Sequence, residues 1–431
     1  MKLNNYKWLH IFSVSIIALI MSMVFWGYDV LLFTEANDWF FSAYVAEAVI
    51  SNETNTYKID QLNTPNSLFI YLYLYMRDIL FFIDPYDLMK GILYTSFVIS
   101  LITVYKLSEI NSSYSILYPL LMSYILVGGM VNYYIGILVI LIFIYRLETV
   151  KKMPTWELLI FILFAYHAHF MAMLPMMFYI LYRFGIRKTI LFSIVPFLLL
   201  VAYKMTNIDY HGVNWGYGFI EHILSIRRVL LPSLVDTHYI DRVSQYYFSS
   251  SLNLAYVLSI LFLFWKYKED KIIKADSYQL VLYFIIIYFL VPSSLPGSGL
   301  NIHERLIIPF VIFSLSYFKY RNDRIPVIFA FIGIFVAINL LLSQEKYNPE
   351  IYKDYTEYYC QLSERDNKNG MKSVITNRAT IGRSALLAES IIDKRMVDSI
   401  EIPVGNIFFS ASIVKMKDSN PYIGNPHCLD F

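Results

Sequence analysis

Four groups of polar residues in this chain carry side chains that could do chemistry. The first is acidic: Glu35, Asn37, Asp38 and Glu47. A carboxylate there could take a proton from a sugar hydroxyl or hold a divalent ion, although an interfacial helix with solvated acids would carry the same residues. The second is an imidazole pair, His167 and His169, followed at once by the apolar Phe170 to Leu174. Beside an apolar wall an imidazole can act as a general base or hydrogen-bond a phosphate. No fitting carboxylate or third His is near in sequence, which disfavours a metal there; a plain interfacial histidine pair is the competing interpretation. The third group runs from Asp209 to Arg242 and includes His211, Trp215, Glu221, His222, Arg227, Arg228 and His238. Rings stack on sugar faces and Arg forks hold phosphate oxygens two at a time, so the mixture suits a sugar diphosphate; a solvated loop with internal ion pairs is the alternative. The fourth is SSLPGSGLNIHER, Ser293 to Arg305, leading into LIIPFVIFSLSYF. Arg305 opens an apolar run, where a guanidinium is costly unless it meets an anion or a carboxylate.

The elements that must position these groups are membrane helices. Only 16% of the 431 residues are charged, against about 25% in an ordinary soluble domain. The apolar share is 57% and the mean hydropathy +0.51. The 38 Tyr and 32 Phe are residue types that favour membrane interfaces and stacking surfaces. A net charge of +2 leaves no basic excess, so nucleic acid is not an expected partner. There is no phosphate-binding glycine loop of the GxxxxGK[ST] kind and no CxxC spacing, which disfavours an ATP-driven pump and a thiol metal cluster. The run Trp8 to Tyr28 reads as a first span, being too long for the apolar part of a cleaved signal peptide.

Basic residues in short loops set a frame. Arg146, Lys151 and Lys152; Arg183, Arg187 and Lys188; Lys266 to Lys274; and Lys319, Arg321 and Arg324 mark four cytoplasmic loops. The segment Trp156 to Tyr182 must then go out and return, with its apex at Tyr166 to His169. The same parity puts outside the loops 29–65, 207–251 and 292–305, where the other polar groups lie. It leaves Asn66 to Ile83, interrupted by Arg77 and Asp78, as a re-entrant or interfacial segment. The expected fold is an all-α polytopic membrane domain over 1–343 with about eleven spans, the N-terminus cytoplasmic. An 88-residue extracytoplasmic tail, 344–431, follows as a small α/β accessory domain. Cys360 and Cys428 both lie in that tail, where an oxidising compartment would permit a disulfide; two free thiols are the alternative.

The succession VNYYIGILVILIFIYRLETVKKMPTWELLIFILFAYHAHFMAMLPMMFYIL, a long outer loop and then HERLIIPFVIFSLSYF resembles the EpsG and Wzy type of polysaccharide polymerase over roughly Val131 to Phe318. In that family a basic cytoplasmic turn precedes a hairpin with a His followed by small and apolar residues, and a later Arg opens a span ending in aromatics. Where the family often has an Arg soon after an Asn, Tyr133, Tyr134 and Ile135 follow Asn132 here, and Arg77 or Arg227 would stand in. The opening third is similar to glycosyltransferases of the GT-C class: a span, an outer loop with Asp38, then TPNSLFIYLYLY.

Both resemblances imply a glycosyltransferase of the bacterial cytoplasmic membrane. It would transfer a growing glycan from undecaprenyl diphosphate to the next lipid-linked repeat unit, with inversion. Asp38 or His167 would accept the proton of the acceptor hydroxyl, and Arg305 with Arg227 or Arg228 would stabilise the leaving diphosphate. Arg77, His169, His211, Trp215, His303 and Glu304 would bind the substrate. No metal or other cofactor is needed, Mg or Mn entering only in the alternative in which Asp38 serves a polyprenyl-monophosphate sugar donor. A chain-length regulator or a flippase are the protein partners this implies. The rival of a different class is a flippase or transporter of lipid-linked glycan, which needs a polar site near the midplane rather than at one face.

Overall fold

The computed structural model of the chain describes residues 2–27, 67–83, 85–122, 126, 131–150, 152–206, 219–231, 249–269, 275–291, 302–343, 398–399 and 415–416. In chain order the helices are α1 (Lys2–Trp26), α2 (Leu68–Ile79), α3 (Pro85–Ile110), and a 3-10 turn (Ser112–Ile116) continued by the short α4 (Leu117–Leu120). Then follow α5 (Val131–Thr149), α6 (Thr155–Ala168), α7 (Phe170–Phe184), α8 (Ile186–Thr206), α9 (Phe219–Leu230), α10 (Ser249–Glu269), α11 (Ala275–Leu290), α12 (Ile302–Leu315) and α13 (Arg324–Ser343). Two strands of two residues each, Asp398–Ser399 and Lys415–Met416, pair antiparallel. They fall on either side of Ile407 to Val414, the strand-like stretch of the tail; the rest of the proposed tail domain, with Cys360 and Cys428, lies outside the described residues.

The apolar side chains show why these helices belong in lipid. In α1, α3, α5, α10 and α13 the length and hydropathy suffice to cross a membrane. Their outward faces hold large apolar groups, such as Phe12, Leu19, Leu258, Leu261 and Phe335, all more than half exposed. A soluble protein does not spread an apolar surface so widely; a bilayer takes it up as solvent. Inside, the largest buried side chains are mostly tyrosines, including Tyr114, Tyr118, Tyr133, Tyr166 and Tyr179. The protein is therefore a helical, multi-pass membrane protein.

Contacts between distant segments sort the helix ends into two groups. At one end, which carries the basic loops, Lys7 pairs with Glu109 at 3.2 Å, Lys319 with Glu148 at 3.4 Å, and Arg324 lies over the ring of Tyr6. At the other end lie the histidines: His167 meets Ser67, His169 meets Arg305, and Tyr288 reaches the His222 carbonyl. Helices α5, α7 and α12 run parallel from the histidine end to the basic end, each packed on the other two. Nearer the basic end, the Tyr179 and Phe313 rings stack with centroids 4.5 Å apart, and Phe143 meets both edge-on.

Helix α2 is about 18 Å long at the usual rise, well short of the ~30 Å hydrocarbon core. It starts beside His167 at the histidine end. Six residues after its last turn comes α3, which is long enough to cross and finishes at the basic end beside Lys7. Both ends of α2 therefore lie on one side, as a re-entrant or interfacial segment requires. Helix α9 falls within the stretch expected as an outer loop, 207–251, and packs on α12.

Candidate functional site

The hairpin of α6 and α7 turns on one residue. Helix α6 stops at Ala168 because His169 adopts an extended backbone, φ −166° and ψ 129°. His169 then caps α7, its Nδ1 accepting the Met171 amide at 3.0 Å. At the far end α7 stops at Gly185, whose φ of +81° is left-handed and suits only glycine well. The break separates the two imidazoles. His167, still on α6, faces Ser67 with its Nδ1 3.1 Å from the hydroxyl, whereas His169 turns to α12.

That cap fixes the proton of His169. A nitrogen that accepts an N–H cannot carry a proton, so the neutral ring carries its hydrogen on Nε2. Nε2 lies 3.3 Å from Nη1 of Arg305. Both groups are then donors, which cannot satisfy each other and can share one acceptor between them. The guanidinium Nε is also buried without a partner among the described residues, where Arg305 pairs with no carboxylate. Two N–H donors side by side at a buried site favour an anion.

Tyr133 completes the group. Its hydroxyl donates to the backbone carbonyl of Arg305, and its ring meets that of His169 edge-on with centroids 5.4 Å apart. Three residues on, Gly136 allows α5 to come this near: an added Cβ would stand 2.6 Å from the Cβ of Ala172 and 3.4 Å from that of His169.

A second polar cluster lies on the other side of α12. The Ser225 hydroxyl donates to Glu304 at 3.2 Å. It has a single proton, so His303 Nε2, 2.9 Å away, donates to it in turn. His222 packs against His303 with ring centroids 4.8 Å apart, and all four residues are buried. Glu304 is thus engaged with α9 and not with its neighbour Arg305.

The structure brings together His169 and Arg305 on one side of α12, and His303 and Glu304 on the other. Arg77 donates from Nη1 to the carbonyls of Phe81 (3.2 Å) and Ile83 (2.7 Å) in the turn after α2. Arg227 is exposed on α9. Asp38, His211, Trp215 and the side chain of Arg228 lie outside the described residues. Sequence reading missed Tyr133, Ser225 and Gly136. Tyr133 follows Asn132 directly in an apolar run, and no local pattern singles it out. No family model, no curated protein and no solved structure matches the chain, so the site stands on its own residues.

Proposed function

We propose that this protein is an integral-membrane glycosyltransferase that polymerises lipid-diphosphate-linked oligosaccharide repeat units at the histidine end. The observation that carries this is the pair of donors, Arg305 Nη1 and His169 Nε2, held 3.3 Å apart with no carboxylate on the guanidinium among the described residues. Cleaving a glycosyl diphosphate builds negative charge on the leaving oxygen, and donors fixed before the reaction stabilise that charge without reorganising. Arg305 starts a helix at the membrane boundary, so its fork reaches the headgroup level where a polyprenyl diphosphate lies. The acceptor hydroxyl loses its proton to His167, at the same end, or to Asp38. His169 binds the leaving group rather than acting as base, because its Nδ1 is occupied by the Met171 amide.

The two-ended order supports eleven crossings with Lys7 and the basic loops in the cytoplasm, the histidine end facing outward from a bacterial cytoplasmic membrane and the tail outside. A cysteine probe at Lys271 is then shielded from an impermeant reagent in intact cells, while one at Ser298 reacts.

The test is product formation. Isolated membranes supplied with undecaprenyl-diphosphate repeat units should yield a ladder of longer glycans that Arg305→Ala abolishes at normal protein level. Extension only with a monophosphate-linked sugar would replace this mechanism by the alternative donor. Movement of the lipid across the bilayer with no new glycosidic bond would replace the enzyme by a transporter.

A further inference from the structure

We infer that Tyr133 is a positioning residue for Arg305, working through a backbone carbonyl that Pro309 leaves without its helix partner. In an α-helix each carbonyl accepts the amide four residues ahead. For Arg305 that residue is Pro309, which has no N–H and whose ring presses on the same carbonyl. The Arg305 carbonyl is part-buried, where an unsatisfied acceptor is costly. The Tyr133 hydroxyl takes the vacant place as donor, reaching from α5 to α12. Its ring meanwhile lies edge-on to His169, at 5.4 Å between centroids. One side chain therefore ties down both halves of the donor pair, the backbone of Arg305 and the imidazole of His169.

The sequence spacing fits the device. Tyr133 and Gly136 are three apart, on one face of α5. Gly136 lets that face close on the hairpin, where its missing Cβ would overlap Ala172, and Tyr133 is then near enough to bridge. This role rests on the proposed diphosphate site.

A double-mutant cycle tests it in the full-length, detergent-purified protein. The variants are Tyr133→Phe, Pro309→Ala and the two combined, with Pro309→Ser as a second route to the same restored amide. Two readouts apply: melting temperature without ligand, and affinity for undecaprenyl diphosphate as the probe. Tyr133→Phe keeps the ring and removes the donor; it should lower the melting temperature and weaken the probe about tenfold, the scale of one buried hydrogen bond. With an amide restored at position 309 the Arg305 carbonyl regains its helix partner, so Tyr133→Phe should then leave the melting temperature nearly unchanged and alter the affinity by less than about twofold. Equal losses in both backgrounds overturn the inference. If the melting temperatures couple but the wild type does not bind the probe, the diphosphate site fails and the positioning role falls with it, leaving a purely structural bond. If the wild type binds but the melting temperatures do not couple, the site survives and the role of Tyr133 does not.

Discussion

The two ends of the bundle treat their polar groups in opposite ways. At the basic end they satisfy one another. The Asn111 side chain donates to the Leu315 carbonyl at 3.0 Å and accepts the amides of Ser113 and Tyr320, while Ser112 exchanges bonds with Asn322 and donates its amide to the Tyr320 carbonyl. Lys7 and Lys319 meet carboxylates, and the guanidinium of Arg146 pairs with Glu157. At the histidine end a guanidinium stands beside an imidazole donor instead. A network closed on itself is architecture, since buried polar groups cost free energy until each is matched. Donors left to one another are what the proposed diphosphate site calls for.

The contrast is sharpest at Arg305. Replacing it by Ala should remove polymerisation, with a loss of at least about a hundredfold, the effect of deleting one donor at a developing anion. Arg305→Lys keeps the charge without the planar fork and should also lose most activity. Product ladders normalised to membrane-inserted protein measure both, and normal synthesis by Arg305→Ala would erase the difference between the ends. Asn111→Ala should act in the opposite manner, costing about 3 kcal/mol or more of stability because several buried partners lose their match at once. Protein yield and melting temperature should fall while activity per folded molecule stays constant. Gly136→Ala forces α5 away from the hairpin and should cost about 1–3 kcal/mol, with a disproportionate loss of activity if the donor pair moves apart. Least affected should be Lys7→Ala. Its partner Glu109 also bonds Tyr105 and Lys106, and a pair this exposed contributes under about 1 kcal/mol. A large loss there would show that the basic end is more finely poised than its surface position suggests.

Much of this arrangement was legible in the chain and some was not, for definite reasons. The hairpin apex at His167 and His169 follows from loop charge and the lengths of two apolar runs. The expectation that the segment around Arg77 does not cross follows from parity. Which way each imidazole faces depends on where α6 stops, and His169 ends it by adopting an extended backbone that no residue type there announces. Arg77 suggested itself as a stand-in for an arginine the resembling family has elsewhere; that its Nη1 bonds two carbonyls of the next turn is a matter of turn geometry that composition does not carry. Pro309 says locally that the Arg305 carbonyl lacks a partner. That the partner is Tyr133, 172 residues earlier, is a matter of tertiary packing that no local pattern carries.

The bonds that fasten α12 at the basic end give the helix a mechanical character. Asn111 grips the carbonyl of Leu315 and Tyr267 that of Phe318, so the lower part of the rod is clamped. Pro309 interrupts the ladder one turn below Arg305, and a rod clamped at its foot bends where its rungs are missing. Any tilt of the helix therefore concentrates in the short arm above the proline, which bears Arg305 on one side and Glu304 on the other. Tyr133 from α5 holds the carbonyl of Arg305 and Ser225 from α9 holds Glu304, so two other helices brace the arm that the proline would otherwise set loose.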